Sequence, residues 1–143
     1  MTYSALPRRN PMSGSKSQKF AASYAQVGLE TQVLSATPEK LIALLLAGAR
    51  ASIAKAKLHM QAGKTPEKAA AIGKAIDIVG SGLRAAVDES TGEVAKHLMA
   101  TYDLVTYHLL QANLKNDAKH LDIADGMLAD VESAWLEVTQ LSS

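Results

Sequence analysis

The last of the four prolines in this 143-residue chain is Pro66, so no proline in residues 67–143 obliges a helix to break. Apolar side chains recur there every three or four residues, which places them on one face of an α-helix. Three such seams are present: Ile72, Ile76, Val79, Leu83 and Ala86; Val94, Leu98, Tyr102, Val105, Leu109 and Ala112; and Leu121, Ala124, Leu128, Val131, Trp135 and Val138. A mean spacing of about 3.5 residues is typical of helices that pack side by side in a bundle.

Capping signals predict where these helices begin. The tetrapeptide Thr-Pro-Glu-Lys occurs at residues 37–40 and again at 65–68. Each copy predicts a helix start, because threonine caps helices, proline tolerates the first position and glutamate complements the positive helix end. Gly63 would end the first helix. Ser90-x-x-Glu93 predicts a capping box at the start of the third helix.

The fold expected from these signals is all-α, an antiparallel up-down four-helix bundle with a short N-terminal helical or cap segment. Short connections make neighbouring helices antiparallel. The predicted units are a flexible basic tail (1–19), a cap or lid segment (20–36) and the bundle (37–143), with helices at about 38–62, 66–87, 92–115 and 117–141. The tail carries four basic and no acidic residues. It lacks the apolar run of ~7–15 residues that an export signal needs, which favours a tail over a signal peptide.

Composition excludes several classes of protein. Fifteen basic and 14 acidic side chains leave a net charge of +1, which gives no global field for attraction to nucleic acid or an anionic membrane. Cysteine is absent, so disulfides, thiolate zinc sites and a cysteine nucleophile are impossible. The longest apolar run, Leu41 to Gly48, is far shorter than the ~18–20 residues of a membrane span.

Histidine supplies no recognisable catalytic or metal-binding pattern. His97 and His108 share a helix face but would lie ~16 Å apart at 1.5 Å per residue, too far to share one metal ion. Phosphate-binding glycine loops, nucleophile elbows and paired Glu-x-x-His motifs are also missing. We therefore predict no catalytic, cofactor-binding or metal-binding residue and no enzyme. An enzyme or metalloprotein on a helical bundle, an adaptor, and a self-associating module remain the alternatives.

Two helices carry more apolar residues than one buried face needs. In the first helix, leucine and isoleucine at 41, 42 and 44–46 cover more than one stripe. In the third, Leu104, Tyr107, Leu110 and Leu114 lie away from the seam. Two interpretations stay open: a thick core partly closed by the N-terminal segment, or a docking groove for an amphipathic partner helix.

Several motifs occur in an order that resembles the flagellin-specific flagellar export chaperones, the FliS family. The resemblance begins at Tyr24 and continues through the helix start at 35–42. It is strongest at Tyr102-Asp103-Leu104 and at Ala112-Asn113-Leu114-Lys115-Asn116-Asp117, and it ends near Ala134-Trp135. Two departures are present. Leu46-Ala47 stand where the family usually has Tyr-Asp, and Tyr107-His108 stand where arginine is frequent.

The resemblance implies a cytoplasmic chaperone that binds the disordered C-terminal segment of flagellin in a hydrophobic groove, prevents premature polymerisation and supports flagellar type III export. The alternative is a helical-bundle chaperone or adaptor for another secreted client. Implied partners are flagellin and the flagellar export apparatus, with an anti-sigma factor as a further candidate and no nucleic acid. The expected state is a monomer or a weak homodimer.

Client contacts are expected from the surplus apolar residues, with Tyr24 in a lid that the client displaces. The predicted client-binding residues are Tyr24, Leu41, Leu44, Leu104, Tyr107, Leu110 and Leu114. Capping is favoured over client contact for Asn113, Asn116 and Asp117, because such residues cap and turn chains at helix ends. For Trp135 a core position is favoured over a binding platform.

Overall fold

The computed structural model describes residues 36–142, and within them the chain forms four α-helices and no strand. The helices are α1 (Pro38–Gln61), α2 (Thr65–Asp77), α3 (Glu93–Lys115) and α4 (Ala118–Ser142). The predicted all-α class is therefore confirmed. The predicted tail and nearly all of the cap segment, with Tyr24, lie outside the described residues. None of the helices within 36–142 combines bilayer-spanning length with sufficient apolar character.

The helices form a closed ring in which each packs against its sequence neighbours and α1 also packs against α4. Ion pairs between α1 and α4 show that these two helices are antiparallel. Arg50 contacts Asp125 and Glu132, whereas Lys57, further along α1, contacts Asp122, earlier in α4. The core at the centre of the ring is contributed by all four helices and by the turn that follows α2.

The second helix differs from the continuous helix predicted at 66–87. Regular α-helix ends at Asp77, a π-helical turn spans Ile78–Leu83, and a 3₁₀ turn covers Arg84–Ala86. Gly82 explains the close packing here, because a Cβ atom on it would lie 2.8 Å from Cδ2 of Leu45. The wider π turn shifts the helical register. Of the predicted seam, Ile72, Val79 and Leu83 are buried and Ile76 is only partly buried, while Ile78, outside that seam, is buried as well.

One of the three predicted caps forms as expected. The Thr37 hydroxyl accepts the Lys40 N–H at 3.2 Å. The second Thr-Pro-Glu-Lys copy has no side-chain cap, because α2 begins at its threonine and follows Lys64.

The predicted capping box is also wrong. The carboxylate of Asp88 accepts both the N–H and the hydroxyl of Ser90, at 3.0 and 2.7 Å. Because the Ser90 hydroxyl donates to Asp88, the serine does not cap the first turn of α3. Helix α3 begins instead after Gly92, whose φ of 65° favours glycine.

Candidate functional site

The seam between α3 and α4 is closed at one end and open at the other. Tyr102, Val105 and Leu109 of α3 are buried, as predicted for seam positions. Val94 and Val138, predicted to lie in the same two seams, are each 59% exposed. Within residues 36–140, the apolar faces of the two helices are therefore exposed where α3 begins and α4 approaches its end.

This opening is a groove with a volume of ≈ 720 Å³. Both helices contribute about equally to its walls. The lining residues are Glu93, Val94, His97, Leu98, Thr101, Met127, Asp130, Val131, Ala134, Trp135 and Val138. Leu98, Met127 and Val131 also pack against the core, so the floor of the groove is continuous with the interior of the bundle. An apolar groove between two helices suits the apolar face of another helix.

Trp135 connects the groove to the start of the bundle. Its indole is partly buried and packs against the core, and it also lines the groove. Its Nε1–H donates to the backbone carbonyl of Glu39 at 3.1 Å. The first turn of α1 therefore lies at the groove end near Trp135.

A second apolar surface lies on the outer side of α3. We call Leu104, Tyr107, Leu110 and Leu114 the α3 stripe; they lie on one helix face and are 50–80% exposed. Three or four residues separate successive members, and the buried seam of α3 lies on the opposite side of the helix. The stripe thus brings together four of the seven predicted client-binding residues.

The remaining predicted contacts are placed differently. Leu41 is 1% exposed and belongs to the core, so its side chain offers no surface to a partner. Leu44 is partly buried. Tyr24 lies outside the described residues. Sequence reasoning missed the groove residues Val94 and Val138, because it placed them in the closed seam.

The closed end of the α3–α4 seam contains a histidine pair that the sequence did not suggest. Nδ1 of His108 lies 2.9 Å from Nδ1 of His120, and the ring of Tyr107 packs edge-on against His108. At this distance one Nδ1 carries the proton and the other accepts it. The pair fixes which turns of α3 and α4 face each other.

The turn between α3 and α4 is held by backbone capping and a buried lysine. Asn116 adopts the left-handed conformation with φ of 54°, and the carboxylate of Asp117 accepts the Lys119 N–H at 2.9 Å. The buried Lys68 of α2 donates to the Asn113 carbonyl and to Oδ1 of Asn116, at 3.2 and 3.1 Å. The capping role predicted for Asn116 and Asp117 is confirmed.

Charges on α4 divide between two sides of the helix. Arg50 donates to Asp125 at 2.8 Å and to Glu132 at 2.7 Å, and these hydrogen bonds raise the pKa of its guanidinium. Asp125 and Glu132 thus face α1. Asp130 instead lines the groove and forms no ion pair with any residue of the described range.

Within residues 36–140 the helical bundle thus has an exposed apolar groove and an exposed apolar stripe. The family model described as "Flagellar protein FliS" matches residues 20–142. The flagellar secretion chaperone FliS of Salmonella typhimurium is 40% identical over 121 residues, covering 84% of this chain and 90% of that protein. The flagellar secretion chaperone FliSB of Pseudomonas aeruginosa is 42% identical over 118 residues, covering 82% and 93%.

The chain therefore belongs to the FliS family of flagellar export chaperones. This confirms the resemblance stated from the motifs and the predicted export-chaperone function. It also confirms that the chain is not an enzyme, because the family is one of chaperones.

Proposed function

We propose that this chain binds the disordered C-terminal segment of flagellin in the cytoplasm, holds it in the groove between α3 and α4, and releases it to the flagellar export apparatus. The observation that carries the proposal is the open end of the α3–α4 seam, where Val94 and Val138 are exposed beside an apolar floor. A segment that folds as a helix in this groove is kept from pairing with other flagellin chains.

Coupled folding and binding accounts for a complex that is firm but releasable. Such interfaces typically bury about 1,000–3,000 Å² and lose about 2–5 kcal/mol or more of their gross interaction energy to ordering the chain. The groove alone accommodates the apolar face of one client helix. A client of about 40 residues is long enough to reach a second surface, even if all of it were helical at 1.5 Å per residue.

The α3 stripe is the second contact in this proposal. It faces away from the core, whereas the groove lies beside α4, so one straight helix does not cover both. Leu104 lies nearest the groove side of the stripe, three residues after the groove residue Thr101. The client is therefore expected to turn around α3, with Leu110 and Leu114 at the far end of its path. Leu41 supports the bundle from within.

Binding of flagellin with and without its C-terminal 40 residues tests the proposal. Trp135 is the only tryptophan of the chain and lines the groove. With a tryptophan-free client peptide, its emission therefore reports occupancy directly. Full-length flagellin and the isolated C-terminal peptide should bind and shift the emission, and truncated flagellin should do neither. Equal binding of the truncated protein would favour another secreted client or another segment.

The groove itself is tested by Val94→Asp, with Leu58→Asp as the matched control. Both residues are exposed, so neither change should unfold the bundle, but only Val94 lines the groove. A carboxylate in the apolar groove should weaken peptide binding at least tenfold, because it would be buried without a partner. Loss of binding in the Leu58 variant as well would place the contact elsewhere.

The N-terminal segment is proposed as a lid that the client displaces. The first turn of α1 lies next to Trp135 at the groove end, which supports a lid formed by the residues that precede it. Deleting residues 1–24, which removes Tyr24, should tighten peptide binding; unchanged or weaker affinity contradicts a lid.

The chain is further proposed to be a monomer or a weak homodimer, with an anti-sigma factor as an additional partner. Sedimentation of the purified chain alone tests its oligomeric state, and sedimentation with an anti-sigma factor tests that partner.

A further inference from the structure

Among residues 36–140, the charged side chains that line the groove are all acidic. Glu93 lies on the α3 wall and Asp130 on the α4 wall, and no lysine or arginine of this range is among the lining residues. Both carboxylates are exposed. A helix seated between the walls removes water from them, and this costs free energy unless the helix supplies cations.

The cations of residues 36–140 do not neutralise these two acids. Lys96 lies 3.7 Å from Glu93, but the two side chains are 79% and 93% exposed, so solvent screens this pair strongly. Asp130 forms no ion pair within residues 36–140, because Arg50 and Lys57 engage the carboxylates on the other side of α4. The groove therefore carries negative charge at both walls.

The spacing of the two acids follows from the register of the helices. His108 faces His120 across the antiparallel pair, so Asp130, ten residues after His120, faces about Leu98, ten residues before His108. Glu93 precedes Leu98 by five residues, which is about 7.5 Å at 1.5 Å per residue. The acids thus lie on opposite walls and are offset by about one and a half helical turns.

We propose that the groove selects an amphipathic client helix with a basic side chain on each flank of its apolar face, the two about five residues apart. This inference rests on the proposed function and adds the chemistry by which the groove chooses its client. Clients with acidic flanks are disfavoured, because they would place like charges beside Glu93 and Asp130.

The test uses the C-terminal 40-residue peptide of the flagellin encoded in the same genome, carrying a dye, and two versions with its lysines and arginines replaced by glutamine or glutamate. Dissociation constants are measured by fluorescence anisotropy at 50 and 500 mM NaCl. For a Glu93→Gln/Asp130→Asn variant, affinity for the native peptide should fall about four- to twenty-fivefold at low salt, at two- to fivefold per exposed charge pair. Affinity for the glutamine peptide should change less than twofold.

A variant with Glu93→Lys and Asp130→Lys should prefer the glutamate peptide to the native one. The matched control is Glu67→Gln, the same chemical change on α2, away from the groove; it should leave all affinities unchanged. High salt should weaken native binding to the wild-type chain but not to the double-neutralised variant, because surface charge pairs are screened.

Three results would overturn the inference. If the double-neutralised variant binds the native peptide as tightly as the wild type, the acids do not select the client, although the proposed function stands. If replacing Arg8, Arg9, Lys16 and Lys19 by glutamine abolishes the charge effect, the acids hold the chain's own basic tail instead. If no peptide binds the wild-type chain, the proposed function fails together with this inference.

Discussion

Helices α1 and α3 are nearly equal in length, at 24 and 23 residues, and each contains five leucines. In α1, Leu41, Leu45 and Leu46 are all buried in the core. In α3 only Leu109 is fully buried, and three leucines are at least half exposed. Two helices of the same apolar content therefore serve different purposes, one to close the bundle and one to present a surface.

The neighbours of each helix account for the difference. Helix α1 packs against α2, the π-helical turn and α4, so adjacent apolar stripes such as Leu45 and Leu46 are both covered. Helix α3 packs against α2, the π-helical turn and α4 on its inner side. No element of the described range covers its outer face, where the α3 stripe lies. Leucine content alone thus does not distinguish core from binding surface; the position of the helix in the ring does.

The largest expected effect is on stability and comes from a matched pair of truncations. Leu46→Ala in α1 removes a side chain with no exposure and should lower the free energy of unfolding by about 2–5 kcal/mol. Leu110→Ala in α3 should change it by less than about 0.5 kcal/mol, because that side chain is already half exposed. Urea unfolding measures the free energy of unfolding of both variants. Equal losses of stability would contradict the difference between the two helices.

The second prediction concerns the inner face of α3, from which water should be excluded as completely as from the core-facing side of α1. Burial raises the pKa of Tyr102 to about 12. The unfolded chain loses this phenolic proton near pH 10, whereas the folded chain keeps it, so stability should fall as pH rises from about 10 to about 12. The loss attributable to Tyr102 approaches about 2–3 kcal/mol at the upper end of this range.

The variant Tyr102→Phe isolates this contribution from other groups that titrate at high pH. Its free energy of unfolding should decline less steeply between pH 10 and 12 than that of the wild type. Parallel curves for the two proteins would mean that water reaches the inner face of α3.

Close packing of α1 against the π-helical turn is tested by two glycines of that turn. A Cβ atom at Gly82 would approach Leu45 at 2.8 Å, whereas one at Gly80 meets no atom within 4 Å. Gly82→Ala should destabilise the protein by about 1–2 kcal/mol through overpacking. Gly80→Ala should stabilise it by about 0.5–1 kcal/mol, because alanine restricts the unfolded chain. The melting temperatures of the two variants test this prediction. If both substitutions stabilise the protein, α1 is loosely packed against this turn.

The smallest expected effect on stability is paired with a large effect on binding. Leu114 is 80% exposed, so Leu114→Asp should leave the helical circular dichroism and the melting temperature nearly unchanged. Binding of the flagellin peptide should be lost, since the aspartate would interrupt the α3 stripe. Leu110→Asp should behave alike. Unfolding of either variant would show that the stripe contributes to the core.

The sequence was sufficient to predict the fold class, because seam spacing depends only on local helix geometry. It was not sufficient to find the groove. Val94 and Val138 have the same spacing as the buried Val105 and Leu128, and only the path of the helices in space shows where a seam opens. The α3 stripe could be predicted as apolar residues in excess of one buried helix face, since it lies outside the seam.

Other features depend on competing hydrogen bonds or on how two helices are aligned with each other. A short stretch of sequence does not show either of these. Ser90 is bonded to Asp88 instead of forming a capping box, and the π turn at Ile78–Leu83 brings Gly82 close to Leu45. The pairing of His108 with His120 needs the register of α3 and α4, which the tight turn at Asn116 sets.

The burial of Lys68 has a consequence for chemical labelling. Among the lysines of residues 36–140 it is the one with a buried side chain, and its ammonium group is held by two oxygen atoms at the end of α3. Amine-reactive reagents should therefore modify the exposed lysines first and reach Lys68 only when α2 separates from that end of α3. The rate at which this single amine reacts is thus a built-in measure of how often the bundle opens.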